Sequence, residues 1–381
     1  MNAPISHNST KKMNVPFVNL AAQFAELEDQ LVDVFKQIGR SGMYVFGQPV
    51  EQFEQGLAEI CQSKYALSVA NGTDAIVLAL QAYGIGRGDE VITAPNSFIA
   101  SAGAINEVGA TIRFADVGTD YNLDPAEVEK AITEKTKAII AVHLTGNPAK
   151  MDELNQIAHA HNLILIEDAA QAIGAEYKGR KVGSLGHVAC FSLHPLKNFH
   201  LMGDAGFVTT QDQVVFEKMK MLRNHGLKNR DEAGFWGQNS RCDALQAAIG
   251  NAKLPYFSKW TERFQAIAHR YHEGLKSIVI CPEISADSQA VFHNFVIQVS
   301  HRSAFMQALL ERGVESKIHY PIPLHLMQAA QSLGYQKGDF PITENQSERI
   351  MSLPIYPELT DEQVKYVIQS VIQVAEQLNA K

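Results

Sequence analysis

Four polar residues in the middle of the chain, Asp168, Gln171, Ser192 and Lys197, stand in or just after apolar, β-rich runs. Leu163–Ile166 leads into Asp168 and Gln171, while His187–Leu193 carries Ser192 and leads into Lys197. Two strands ending this way bring a carboxylate, an amide, a hydroxyl and an amine to one edge. The carboxyl ends of parallel strands are where open α/β sheets seat their ligands. Lys197 has Phe191, Leu193, Leu196 and Phe199 as neighbours in sequence. An amine in apolar surroundings loses proton affinity through desolvation, and that is what a lysine needs in order to bond a carbonyl carbon. A lone lysine is more often a surface residue with its stem laid over apolar neighbours.

Asp168 has two readings. It could cap a helix begun by AAQAIGA, or it could keep a pyridinium nitrogen protonated, the standard partner of a pyridoxal phosphate ring. Asn71-Gly72-Thr73 lies between a strand and a helical run. Free N–H groups and the helix dipole at such a junction favour an anion, and a phosphate would suit it. A plain N-cap turn is the commoner reason for those residue types.

The elements that must position these residues follow from periodicity. Apolar residues at helical spacing run from Phe24 to Ile38, with Gly39 as the stop, and again over Val50–Ile60. From Tyr65 onward, strand candidates (Tyr65–Val69, Glu90–Thr93, Ala110–Phe114, Lys137–Val142, Leu163–Ile166, Gly206–Thr210) alternate with helical ones (Asp74–Tyr83, Ser97–Val108, Pro125–Ala131, Met151–His161, Val214–Arg223). That alternation implies βαβ units: an α/β fold with a mainly parallel sheet and helices on both faces. After Pro255 the texture changes to a long helix (Phe257–Leu275), a strand near Phe292–Val299, a helix at Ala304–Glu311, the run IHYPIPLH and a closing helix at Asp361–Leu378. We expect a loose tail over residues 1–13, a large α/β domain over 14–254 and a smaller α+β domain over 255–381.

Composition narrows the class. The chain has 381 residues, 46% hydrophobic and 19% charged, which is globular rather than disordered. Its formal charge is −8 with scattered basic residues, so a nucleic-acid partner is not expected. Cys61, Cys190, Cys242 and Cys281 form no CxxC pattern, which argues against a zinc or disulfide framework and fits a reducing compartment. The polar amino terminus carries no signal-like apolar stretch, and no apolar run approaches the roughly 18 residues that span a bilayer. A cytoplasmic protein without membrane or metal partners is the expectation.

The ordered set ANGTDA, NSFIASAGAI, EDAAQAIGA, FSLHPLKN with GDAG, and GQNSRCDALQAA resembles the DegT/StrS family of sugar aminotransferases, from about Pro16 to Ile355. Those are fold type I pyridoxal-phosphate enzymes related in architecture to aspartate aminotransferase. The resemblance implies that Lys197 bonds the cofactor and shuttles protons. Asp168 would lie under the pyridine nitrogen, Gln171 near the ring hydroxyl and Phe98 against the ring, with Gly72, Thr73 and Ser192 at the phosphate. It further implies that Asn239 and Arg241 come from the second subunit of a homodimer with shared active sites. There Asn239 would reach the phosphate and Arg241 would clamp the carboxylate of L-glutamate, the amino donor. His319 and Tyr320 would line the side facing the acceptor, a nucleotide-linked keto-sugar.

Two departures stand out. Gly203-Asp204-Ala205-Gly206 replaces the family's GEGG, and Ala205 removes any freedom for positive φ there. Six steps separate Lys197 from Gly203, a spacing that resembles members acting on 3-keto sugars more than 4-keto ones. The implied activity is amino transfer to a keto group, with C3 favoured, in building an O-antigen, capsule or antibiotic sugar. A 4-keto sugar, a keto-inositol or a non-catalytic sensor are the alternatives; retention of Lys197 counts against a dehydratase.

Overall fold

The structure, a computed structural model, describes residues 13–378. The tail expected over 1–13 lies outside it except for Met13, as do residues 379–381. In chain order the strands are β1 Tyr65–Val69, β2 Glu90–Thr93, β3 Thr111–Phe114, β4 Thr136–Val142, β5 Ile164–Asp168, β6 Glu176–Tyr177, β7 Arg180–Lys181, β8 Val188–Ser192, β9 Gly206–Thr210, β10 Ser288–Gln289, β11 Phe295–Gln298 and β12 Ile350–Leu353. Seven of them form one sheet in the order β1-β9-β8-β5-β4-β2-β3.

From β8 to β3 every neighbour is parallel, and β4 and β5 are almost wholly buried. Burial on both faces explains their continuous apolar runs. β9 is antiparallel to both of its neighbours. No crossover helix intervenes between β8 and β9, so the chain turns directly back. Lys197 lies on the loop that makes this turn, which is closed by Leu193 N–H to Ala205 O (2.8 Å) and Leu201 N–H to Leu193 O (2.9 Å).

Helix α1 spans Leu20–Ser41 and begins ahead of Phe24, because Asn19 accepts the Ala22 N–H and caps it. Gly39 sits inside this helix; the stop is Gly42, at a left-handed φ of 65°. α2 covers Gln48–Ile60, α3 Gly72–Ala82 and α4 Ile99–Glu107. The helix that AAQAIGA could have begun does not form. Tight turns replace it (Ala172 N–H to Ala169 O, 2.9 Å; Ala175 N–H to Ala172 O, 3.0 Å), with Gly174 at φ +83°. Asp168 therefore ends a strand rather than capping a helix.

A second core gathers β11, β12 and the helices Phe257–Leu275, Arg302–Glu311 and Asp361–Leu378. Val15, from the other end of the chain, is completely buried in it and bridges to Val314. The helix Pro341–Arg349 and strand β12 are additions to the sequence reading. The first has too few apolar residues to show periodicity, and the second is four residues long. Among the described residues no helix is long and apolar enough to cross a membrane, and no group of three or more His, Cys, Asp or Glu could hold a metal.

Candidate active site

Asp168 ends β5 beside Cys190 of β8, 5% exposed. A buried carboxylate is costly unless hydrogen-bonded. Asp168 accepts Ser101 Oγ–H at 2.6 Å and its own loop's Ala170 N–H at 3.2 Å. Its sequence neighbour Glu167 points to the opposite face, as strand alternation requires. There it accepts the N–H groups of Gly183, Leu185 and Gly186 and bonds His143 Nε2 at 3.0 Å. His143 Nδ1 accepts the Ala149 N–H, so its proton sits on Nε2 and the ring is neutral. This buried network fixes β5 from behind while Asp168 faces forward.

The β8 end and the α3 start meet closely. A Cβ placed on Gly72 would lie 2.9 Å from Ser192 Cβ, so only glycine permits the approach. Asn71 caps α3 by accepting the Asp74 N–H at 2.8 Å. The Gly72 and Thr73 N–H groups and the Thr73 hydroxyl make no hydrogen bond among the described residues. Free donors at a helix N-terminus next to a serine hydroxyl suit an anionic group such as a phosphate.

Lys197 is half-buried on the β8–β9 loop. Desolvation pulls its amine down to about 8, against an opposing pull from the Asp168 charge. His319 sits close enough to feel Lys197: burial first, then the Lys197 and Lys317 charges, lower it to about 4. It is therefore neutral at pH 7, with Nδ1 hydrogen-bonded to Ser352 Oγ at 2.8 Å. Tyr320 lies against Phe98, ring centroids 5.6 Å apart. Burial first, and then the Asp168 charge, push its hydroxyl up to about 12.

Gln171 connects this side. Its Oε1 accepts the Thr145 N–H at 2.6 Å, which turns Nε2 toward the Tyr320 hydroxyl at 3.4 Å. Phe98, half-exposed, precedes α4 and offers a free aromatic face. Lys197, Asp168, Gln171, Phe98, His319 and Tyr320 are thus gathered by contact or charge, with Gly72, Thr73 and Ser192 at the adjoining helix start.

Asn239 and Arg241 are not part of this gathering within one chain. Asn239 is exposed and bridges Asn224; Arg241 donates to Asn224 Oδ1 at 2.9 Å and lies over the Phe46 ring at 5.6 Å.

The arrangement tests well against pyridoxal phosphate. It offers an enclosed amine of lowered basicity, a buried carboxylate, a free aromatic face and unused donors at a helix start. Comparison with known proteins agrees. Residues 25–372 match the DegT/DnrJ/EryC1/StrS aminotransferase family model. The chain belongs to this family. A "dTDP-3-amino-3,6-dideoxy-alpha-D-galactopyranose transaminase" of Aneurinibacillus thermoaerophilus is 42% identical, covering 94% of this chain and 98% of the relative. A "pleiotropic regulatory protein" of Geobacillus stearothermophilus is 40% identical, covering 95% and 98%. The structure of S. venezuelae DesV in complex with a ketimine intermediate superposes with a TM-score of 0.93 at 39% identity, covering 95% of this chain and 99% of that one.

Other matched structures were solved in a PLP form or with the cofactor PMP bound. This family member is a pyridoxal-phosphate-dependent aminotransferase with the corresponding fold, a mainly parallel sheet and mixed α/β architecture.

Three neighbours of the site were absent from the sequence reading. Ser101 is detectable in principle, one helical turn after Ser97, whose hydroxyl it meets at 2.7 Å. Thr145 and His293 carry no local signal. Long-range packing brings them in, Thr145 at φ +61° in the turn after β4 and His293 beside the Lys197 loop.

Proposed function

We propose that this aminotransferase moves the amino group of L-glutamate to the C3 keto group of a nucleotide-linked deoxy-sugar, in making an amino sugar for an O-antigen, capsule or antibiotic. The observation that carries the reading is the enclosed Lys197 amine facing the Asp168 charge, next to the free donors of α3. The C3 preference draws on the product named for the A. thermoaerophilus relative and on the six-residue step from Lys197 to Gly203.

Pyridoxal phosphate, when bound, supplies an aldehyde that takes up an amino group and a ring that spreads the negative charge left when a C–H proton departs. The chain's residues do the rest. Lys197 Nζ holds the cofactor, then takes and returns the proton at the substrate carbon; near pH 8 it can do both. Asp168, held in place by the Ser101 hydroxyl, would serve the ring nitrogen, and Phe98 would cover one ring face. Gln171 would serve the ring hydroxyl, and Gly72, Thr73, Ser192 and a second subunit's Asn239 would hold the phosphate. Arg241 of that subunit takes the glutamate carboxylate through two parallel hydrogen bonds. His319 and Tyr320 meet the sugar.

A homodimer is part of this proposal. Exposed Phe24, Val32 and Phe35 of α1 line an apolar groove with Met202 and Leu245, in keeping with a covered face. We also place the domain boundary near Pro255; the first core reaches past it to Phe257 and Trp260, and the second takes up the long helix from Phe264.

The test is a screen of glutamate-loaded enzyme against 3-keto and 4-keto deoxyhexose nucleotides, with the amino-sugar product identified by mass and NMR. Amination at C3 supports the proposal; amination at C4 alone overturns the regiochemistry. Arg241→Ala should raise the KM for glutamate about a hundredfold while cofactor affinity changes less than about tenfold. An unchanged glutamate requirement removes Arg241 from the site.

A further inference from the structure

Two arginines share one aromatic neighbour, and the chain treats their charges differently. Both guanidinium groups lie over the Phe46 ring, with Cζ 5.3 Å from its centroid for Arg223 and 5.6 Å for Arg241. Arg223 is 4% exposed, and its Nη1 donates to Glu54 Oε1 at 2.5 Å and to Ser68 O at 2.6 Å, so a carboxylate already neutralises it. Arg241 has no carboxylate within ion-pair distance among the described residues. Its partners are neutral: the Asn224 amide oxygen, 2.9 Å from Nη1, and the Phe46 ring. A guanidinium has donors enough to give one to an amide and still grip a carboxylate through two parallel bonds.

The ring stands on strained backbone. Phe46 has φ +60°, and Gly47 beside it has φ +85°. Glycine enters that left-handed region freely and bulky residues avoid it, so a phenylalanine there points to a need for its ring. The segment is tied to the chain just beyond Arg241: Ala244 N–H donates to Tyr44 O at 2.9 Å, and Val45 bridges Asp243. Ring and amide thus reach Arg241 from two separate segments, the α1–α2 loop and the stretch after the helix Gln213–Leu222. We propose that Phe46 and Asn224 are positioning residues for the amino donor. They hold the Arg241 guanidinium by its face and one N–H while leaving its charge unneutralised, so that a donor carboxylate supplies the missing anion. A carboxylate at position 224 would take that place, and an aliphatic side chain at 46 would let the long arginine stem swing. The role rests on the reading of Arg241 as the donor clamp.

The test uses the full-length, cofactor-loaded protein and glutarate, which has both carboxylates of glutamate but no amine to react. By calorimetric titration, Asn224→Asp, which turns an amide into a carboxylate at nearly equal volume, should weaken glutarate binding about ten- to a hundredfold. Phe46→Leu should weaken it roughly three- to tenfold, and Phe46→Tyr, which keeps a ring, should recover most of that loss. In turnover, Asn224→Asp and Phe46→Leu should raise the KM for glutamate by similar factors, with kcat within about threefold and cofactor affinity within about twofold. Unchanged glutarate binding in Asn224→Asp overturns the proposal. So does a loss in Phe46→Leu that Phe46→Tyr shares, or one expressed in cofactor affinity instead of KM.

Arg241→Ala is the reference. If it raises the KM for glutamate while Asn224→Asp and Phe46→Leu do not, this inference fails and the donor clamp stands. If Arg241→Ala leaves the glutamate requirement unchanged, the clamp fails and this inference with it. Should Phe46→Leu not fold, the nearly isosteric Asn224→Asp still decides.

Discussion

Lys197 and Asp168 face one site with opposite charges and different burial, and the balance between them sets the working pH. Desolvation lowers Lys197 to about 8 although Asp168 pulls the other way. The rate at which the apo protein takes up pyridoxal phosphate should therefore rise to about pH 8 and then level. A rise continuing toward pH 10 would mean an ordinary, solvated lysine. Asp168→Asn removes the carboxylate that would serve the cofactor's ring nitrogen. It should lower kcat about a thousandfold while the cofactor still binds, as read from single-turnover kinetics. The approach of Lys197 to Asp168 was legible because each follows an apolar strand run, whereas their roles rest on the resemblance. Ser101, which holds Asp168, lay inside a motif already noted. Thr145 and His293 were not legible, since nothing nearby in sequence marks a contact made across the fold.

Glycines and one buried carboxylate fix the elements around the site. A Cβ at Gly206 would lie 2.5 Å from the Asn71 carbonyl and 2.7 Å from Phe191 O. Both are backbone atoms that cannot step aside. Gly206→Ala should cost about 1–3 kcal/mol and weaken cofactor binding as well, because Asn71 begins α3. A thermal melt and a cofactor titration would read the two effects; unchanged values in both would contradict the packing account. The concern over Ala205 dissolves: that residue is not among those at positive φ, and the close approach falls on Gly206. Glu167→Gln removes one acceptor oxygen from three backbone donors and His143, and should destabilise by about 1–3 kcal/mol with little change in KM. The strands read well from sequence, since burial on both faces leaves continuous apolar runs. The helix that AAQAIGA could begin, one of the two readings of Asp168, does not form, because packing against Phe257 at Gly174 overrides its helical composition.

At the scale of the molecule, Lys253 ties separate parts of the chain together. It is 3% exposed, and its amine donates to Gln23 of α1 and to His200 O on the Lys197 loop, while Gln23 donates to Glu358. Burial lowers it to about 8, with Glu358 opposing. The unfolded chain keeps its proton up to the ordinary lysine value, so between the two pKa values it binds more protons than the native state. Native stability therefore rises with pH across that window, by a few kcal/mol at most, and the effect is absent below it. Melting curves of Lys253→Met should lack this rise; an identical rise in the variant would contradict it.

The proposed dimer has its own test, for Arg241's place in a partner's site is implied by the resemblance alone, and one chain cannot display it. Mixing Lys197→Ala with Arg241→Ala protein should restore about a quarter of wild-type activity, since half the dimers would be hybrids with one intact site of two. No restoration would place Arg241 in its own subunit's site. The central claim, amino transfer from glutamate through Lys197, is tested most directly by the visible spectrum of the cofactor-loaded protein on adding glutamate. Loss of the near-visible band with one equivalent of 2-oxoglutarate formed, absent in Lys197→Ala, is the predicted result; a band that glutamate leaves untouched would contradict it.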